Sequence, residues 1–529
     1  RADAKLSPTA RETMYQQKFH LYRNLTKPSE RLYLSFAKAG ASGEAQNPSY
    51  LINEIRKLFP EIPVRDIEKK EQPEERLEMP RSGEALFLEE LGKAAEGEID
   101  PLFEELYRWY AAHPEAGIPA ETYRKAAFLR CADGVIGKSA ASALYGDTLK
   151  NSATRLEKYA ACAFAHFMEF GLQIRERDQY ELKAADMGTV MHEALEKFSK
   201  KLQENGETWK TVTDDTRDRL IEECVEETMA DYGNTIFQSS SRNQYRIIRV
   251  KRILKRTVWA LQQQIRQGEF EPGEFEVSFS MEDSLSAINI DLSEHEKMRL
   301  RGRIDRVDLC ETDDKVYVKI IDYKMGNTSL DLVALYYGLQ LQLAVYLDAA
   351  VELEQKKHPS KQVEPAGVFY YHIDDPMLDQ EEDETDEAWG RRMLKALRMD
   401  GLVNADRKVV ELLDRVLEDG TTSDVIPVGK KKDGSYTSYS KVASPEQFDV
   451  IRTYTRKKVR EIGEGIFSGN VKISPYQRDG ATACAYCEYQ GICGFDQKIQ
   501  GYEYRKLKGM DTELLMKAMQ EITQSDQKE

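Results

Sequence analysis

Apolar positions recur along this chain with two different periods, and the switch between them marks its organisation. FHLYRNLTKPSERLYLSFA, from Phe19 to Ala37, reads as a helix ending near Pro28 followed by a strand, RLYLSFA. NPSYLINEIRKLFP sets Leu51, Ile55 and Leu58 on one helical face, with Asn47 or Ser49 as its cap. From Ile67 to Tyr110 the chain is charged, and EALFLEELGKAA and DPLFEELYRWYAA keep a 3.6-residue period. A connector rich in glycine, serine and alanine runs from Asp133 to Lys150 and predicts a boundary. Three parts are therefore expected: residues 1–140, residues 141–500, and a helical tail over 501–529.

Beyond the connector, SATRLEKYAACAFAHFMEFGL predicts a helix capped by Ser152 with Leu156, Tyr159, Phe164 and Phe167 as its stripe. DMGTVMHEALEKFSKKL predicts another, burying Met191, Leu195, Phe198 and Leu202 with His192 beside them. Two long helices are expected from Asp214 to Tyr232 and from Asn243 to Gln267. The second carries Arg249, Arg252 and Arg256 at helical spacing. The period then shortens to two in FEPGEFEVSFS, MRLRGRIDRVDLCE and KVYVKIIDYKMG, which predict strands. A helix, LYYGLQLQLAVYLDAA, and a strand, AGVFYYHI, follow, and the acidic block DDPMLDQEEDETDEAW is expected to be a solvated loop.

Composition narrows the function classes. Apolar residues make up 41% of the 529, yet no run approaches the roughly 18 that a membrane span needs, so no membrane role is expected. No secretory pattern opens the chain, and Arg1 stands mid-pattern, so a longer parent chain is expected. Seven cysteines, an odd number and mostly isolated, point to a reducing, cytoplasmic setting. A net charge of −16 argues against nucleic-acid binding by bulk electrostatics. Local basic stretches would have to serve instead: Arg249, Arg252 and Arg256, or GKKKDGSYTSYSK.

The densest chemistry lies between Gly302 and Lys324. GRIDRVD supplies Asp305, and IIDYK supplies Asp322 and Lys324, which two-residue spacing turns to one face of a strand. If the two strands pair as a hairpin, Asp305 arrives beside them. Two carboxylates and one ammonium in a small volume suit a hard divalent cation, Mg²⁺ or Mn²⁺. Such a set is fitted to phosphodiester hydrolysis. The bland reading, a surface ion pair, leaves aspartate inside a β-branched run unexplained.

GTVMH from Gly188, GRIDRVD, IIDYK and QLQLAVY from Gln340, in this order, resemble the motifs of the RecB-type nucleases, a branch of the PD-(D/E)xK restriction-endonuclease-like fold. The resemblance implies that His192, Asp305, Asp322 and the main-chain carbonyl of Tyr323 hold the metal, and that Lys324 is the catalytic lysine. Gln340 and Tyr346 match the helix motif that braces the site and reaches DNA.

CAYCEYQGIC carries Cys484, Cys487 and Cys493, one ligand short of a tetrahedral zinc or a cubane iron–sulfur site. Cys224 and Cys310 read as small apolar residues and Cys131 lies near the connector. Cys162, in RLEKYAACAFAHF, resembles the first cysteine of nucleases whose [4Fe–4S] cluster joins the two ends of the domain. Ala163 stands where that family has proline. Zinc, with His166 as a ligand, is the competing reading. Closing a loop of 322 positions is worth on the order of 5 kcal/mol by chain entropy.

The whole chain resembles the second half of the AddB members of the bacterial AddAB helicase–nuclease family. Its N-terminal segment looks like the last motor motif of superfamily-1 helicases, with Lys27 in the place of the phosphate-sensing arginine. GVIGKS at Gly134 to Ser139 lacks the spacing of a phosphate-binding loop. The fold class expected is α/β: a nuclease domain with an iron–sulfur cluster, preceded by the end of a degenerate helicase-like domain. The resemblance further implies an AddA-type motor and nuclease subunit as partner and double-stranded ends and single strands of DNA as substrate. It also implies cutting of the 5′-terminated strand, and Chi recognition lying mainly upstream of Arg1. A free-standing nuclease or a nonenzymatic recombinase-loading scaffold are the alternatives.

Overall fold

The period-two stretches assemble into one six-stranded sheet: β1 (Glu271–Phe279), β2 (Gly302–Glu311), β3 (Lys315–Lys324), β4 (Gln362–His372), β5 (Asp400–Asn404) and β6 (Val442–Ala443), side by side in that order. β1, β2 and β3 form an antiparallel meander, β4 runs parallel to β3, β5 antiparallel to β4, and β6 parallel to β5. The computed structural model describes residues 8–39, 45–64, 77, 80–95, 101–116, 119–127, 134–177, 181–232, 237, 239–279, 285–286, 288–293, 296–379 and 384–525. Cys131 lies outside them, as do Asp133 of the expected connector and part of the acidic block.

The chain divides into two units, Arg1–Arg124 and Lys125–Glu529, so the second begins N-terminal of the expected connector. In the first unit, Thr9 and Glu12 close a capping box on the helix Ala10–Thr26, and Ser49 caps Tyr50–Leu58. The helices Pro80–Ala95 and Pro101–Ala112 pack around Phe87, whose ring stacks on Phe103 with centroids 5.9 Å apart. RLYLSFA forms no strand. A strand needs a neighbour for its N–H and C=O groups, and among the described residues none pairs with it, leaving Leu32, Tyr33, Leu34 and Phe36 exposed.

In the second unit the sheet is covered on both faces, which is why the central strand β3 is buried almost without interruption although it carries Lys319 and Asp322. Over one face lie α2 (Ala184–Glu204), the helix Asp214–Asp231 and α3 (Ser241–Gln267), packed on Tyr317, Ile321 and Tyr323. Over the other lie α4 (Gln342–Lys357) and α5 (Pro445–Phe467), packed on Val316, Val318 and Ile320. Ser152 caps α1 (Ala153–Ala161), accepting from Arg155 N at 3.4 Å. The expected single helix breaks at Cys162, whose backbone is extended, before Ala163–His166 resumes. LYYGLQLQLAVYLDAA also divides, into Leu332–Tyr336 and α4, because Gly338 takes φ +79° between them. The acidic block is more than a solvated loop: its last residues open a helix, Asp386–Ala396, capped by Thr385.

Candidate active site

Strand register brings the carboxylates together. The β2–β3 ladder ends with Arg306 opposite Ile321, so Asp305 and Asp322 are the next residues along the two strands, near enough for the charge of Asp305 to raise Asp322. On the other edge of β2, Phe275 faces Arg306 and Val277 faces Ile304, which brackets Glu276 against Asp305. Three neighbouring strands thus each contribute one carboxylate. From α2, His192 Nδ1 reaches Asp305 Oδ1 at 3.3 Å, and one ligand atom each from His192, Glu276 and Asp305 lie within 4.8 Å of one another.

Asp305 accepts a hydrogen bond from the Tyr323 amide at 2.7 Å. Lys324 Nζ lies 2.6 Å from Asp322 Oδ2 and donates to Gln342 Oε1 at 3.0 Å. Gln342 Nε2 in turn donates to Asp322 Oδ1 at 2.8 Å, closing a ring of three side chains. The Lys324 ammonium also stands 5.6 Å from the centre of the Tyr370 ring.

Burial and mutual repulsion disfavour this much negative charge. Burial first, and Asp305 second, push the Asp322 carboxyl up to about 6. The same two causes push Glu276 up to about 7, against the pull of Arg303. Burial would lower His192, but the hydrogen bond and charge of Asp305 leave it raised. An imidazole and buried oxygen donors short of positive charge fit a divalent cation.

Glu276 carries no signal in the sequence. EFEVSFS alternates like a half-solvated strand, and only pairing with β2 reveals which glutamate turns to Asp305. Its backbone sits at φ +51°, which sets it apart from the ordinary strand residue it resembled. Gln340 is corrected to Gln342: Gln340 precedes α4 and binds the loop before it, donating to Ser329 O and accepting from Asp331 N, both at 2.9 Å. Tyr346 is only 8% exposed and receives the Gln342 amide at 3.3 Å, so it braces the site from behind and is not a surface for DNA. Arg252 and Arg256 both turn to Asp375, whereas Arg249 is exposed.

Cys162 and Cys487 belong to one apolar cluster with Ala165, Met168 and Tyr489. Cys484 and Cys487 each feel the charge of other thiols of the set, Cys162 and Cys493 among them, so all four expected cysteines converge. Burial is the main cause raising both thiols. Main-chain N–H groups meanwhile point at sulfur, from Tyr489 to Cys487 and from Phe495 to Cys493 at 3.5 Å. Four thiols with N–H donors suit an iron–sulfur cluster. His166, the alternative zinc ligand, is packed among the rings of Tyr145, Tyr159 and Phe170, and burial, then Arg155 and Lys158, pushes it down to about 3.

These features are those of a nuclease core of the PD-(D/E)XK type. Residues 150–494 match the PD-(D/E)XK nuclease superfamily, and the chain belongs to that superfamily. Over 519 residues, 97% of the chain, it is 42% identical to the B-type subunit of the ATP-dependent helicase/deoxyribonuclease of Lachnoclostridium phytofermentans. Over 523 residues it is 34% identical to the protein of the same name from Alkaliphilus metalliredigens. The chain spans under half the length of these relatives, 44% and 45%. No helix among the described residues is long and apolar enough to cross a membrane.

Proposed function

We propose that this chain is the nuclease-bearing part of a helicase–deoxyribonuclease subunit and hydrolyses DNA phosphodiesters with a bound Mg²⁺ or Mn²⁺. The meeting of His192, Glu276 and Asp305, with the Asp322–Lys324 pair on the adjoining strand close enough for Asp305 to act on it, carries this reading. His192, Asp305, Asp322 and the Tyr323 carbonyl would hold the cation, with Glu276 adjacent. When bound, the cation supplies Lewis acidity and a more acidic water. Lys324, held by Asp322 and Gln342, sits where it can orient the attacking water and screen charge building on the phosphate. Asp305, fixed by the Tyr323 amide, keeps its second oxygen toward His192.

The relatives' shared name makes each of them one component of a helicase/deoxyribonuclease, which supports a motor-bearing partner of the AddA type. The two would form a heterodimer that resects double-strand ends for recombination. In this reading the nuclease cuts the 5′-terminated strand, Chi is recognised in the same polypeptide, and the segment carrying Lys27 no longer hydrolyses ATP. The assembly works in the cytoplasm. The four cysteines clasp the nuclease with a [4Fe–4S] cluster. The test uses the full-length protein in the assembly with which it purifies, on a duplex labelled separately at each 5′ end. Asp322→Ala should abolish 5′-strand cutting and spare the other strand. Unchanged cutting of both strands would defeat the reading.

A further inference from the structure

The segment between Lys324 and Gln342 begins and ends on side chains that bind each other. Its two halves are held from outside the sheet, both times by residues close in sequence to the converging cysteines. At its end, Glu157 Oε1 accepts the amides of Leu341 and Gln342 at 2.7 and 3.0 Å. These N–H groups open α4, which has no side-chain cap of its own. Glu157 lies on α1, five positions before Cys162.

Nearer its start, the Arg478 guanidinium pairs with Asp331 Oδ2. Asp331 Oδ1 caps Leu332–Tyr336 through the amides of Val333 and Ala334, at 2.9 and 3.0 Å. Arg478 lies six positions before Cys484, in a small sheet formed by Tyr476–Arg478, Ala481–Thr482 and Arg505–Lys506. From that sheet Arg505 donates to Ala161 O at 3.2 Å and to Ser474 O at 2.8 Å, which ties the end of α1 to it. Gln340 spans the segment internally through Ser329 and Asp331. The two grips are thus parts of one connected body.

We propose that Glu157 and Arg478 are positioning residues that couple the four-cysteine lobe to the catalytic centre, by fixing the segment that delivers Gln342 to Asp322 and Lys324. This rests on the nuclease reading above. Electrostatics agree with the geometry: the charges of Lys324 and Asp322 both reach Glu157, and burial pushes its carboxyl up to about 7. Neither residue touches the reacting atoms. Their role is to hold α4 and its preceding loop in register, so that a change in the cysteine lobe reaches Gln342 through hydrogen-bonded main chain.

The test uses the full-length protein in its purified assembly, with single-turnover cleavage of a saturating duplex, DNA affinity, iron content, and Mn²⁺ affinity by electron paramagnetic resonance. Glu157→Ala should slow cleavage about 10–100-fold and weaken Mn²⁺ binding several-fold, with DNA affinity and iron content unchanged. Glu157→Gln, whose amide oxygen still accepts both N–H groups, should recover most of the rate. Arg478→Ala should slow cleavage about tenfold and Arg478→Lys less. Combining Glu157→Ala with Cys487→Ser should cost no more than the worse single change, as expected of one coupled path. The proposal is overturned if Glu157→Ala lowers only thermal stability or iron content, or if the two losses multiply. Asp322→Ala, run alongside, separates the failures: if it leaves cutting intact, the nuclease reading itself is wrong, whatever Glu157→Ala does.

Discussion

The β2–β3 hairpin carries a charge cluster on each face, and the two behave in opposite ways. Toward α4, Asp322 pairs with Lys324, and burial together with the charge of Asp305 pushes up the carboxyls of Asp322 and Glu276. Toward α2 and α3, the single carboxylate Asp308 lies between two cations. Arg306 binds it bidentately at 2.5 and 2.9 Å, and Lys319 approaches to 2.8 Å. Arg306 is sealed against Trp209, 5.2 Å from the ring centre, and Asp308 has no exposed surface. Burial opposes the Asp308 charge, but Arg306 and Lys319 outweigh it and hold the carboxyl below its usual range. One cluster is complete within the protein; the other is short of positive charge. The two aspartates stand three positions apart in GRIDRVD, yet Asp308 meets Arg306 and Lys319 whereas Asp305 meets His192 and the Tyr323 amide.

The largest expected effect breaks the complete cluster. Asp308→Ala leaves two buried cations without their carboxylate and should destabilise the fold by about 3–5 kcal/mol, read from urea unfolding. Asp322→Ala should leave unfolding unchanged or slightly improved, yet slow cleavage about a thousandfold, the loss of several kcal/mol of charge stabilisation at about 1.4 kcal/mol per tenfold. Equal unfolding stability of the two variants would erase the distinction.

Next in size, Gln342→Ala should slow cleavage about 10–100-fold by releasing both Asp322 and Lys324. Gln340→Ala should cost less, because its contacts are to main chain of the preceding loop.

The two sides should also respond to pH with opposite sign. Asp308 titrates lower when folded than unfolded, so its stabilisation is complete above about pH 4 and is lost as pH falls through the folded value. Glu157, beside the site, moves from 4.5 up to about 7 on folding. The folded form therefore binds the proton more tightly, and stability falls as pH rises from about 4.5 to about 7. In protein unfolded by urea across that window, Glu157→Gln should flatten the decline. A wild-type profile rising steadily to pH 7, with no change on substitution, would contradict the assignment.

The smallest effect concerns the basic face of α3. Arg252→Ala should change stability by only about 0.2–1 kcal/mol and DNA affinity by less than about twofold, because Asp375 already holds the guanidinium at the surface. Arg249→Ala, at an exposed position, should weaken DNA binding more than Arg252→Ala does.

Local patterns made part of this legible. Ser49 and Ser152 announced their helices because a cap acts within three residues, and Asp322 and Lys324 were paired by strand alternation alone. Asp305 needed one further assumption, a hairpin, which the short turn between Glu311 and Lys315 made easy. What stayed hidden depends on distant partners. Glu276 acquires its place from pairing with β2, and Gln342 displaces Gln340 because Gly338 breaks the helix. Arg256 is claimed by Asp375, 119 positions away, and RLYLSFA had the composition of a strand without a neighbour to pair with. The triad of Arg306, Asp308 and Lys319 lay within and beside GRIDRVD, but burial of that face by α2 and α3 cannot be read from spacing.

The placement of the cysteines has a consequence for the order in which the protein is made. Cys484 follows Cys162 by 322 positions, and a ribosome adding about 5–20 residues per second needs tens of seconds to cross them. His192, Asp305, Asp322, Lys324 and Gln342 have all left the ribosome before the second of the four thiols exists. A nascent or prematurely terminated chain would therefore carry every side chain of the proposed catalytic site, yet lack Arg478 and three of the four thiols. The stretch from Arg478 to Cys493 follows all of those site residues in the sequence, and on the coupling proposed above the nuclease would stay unbraced until it is made.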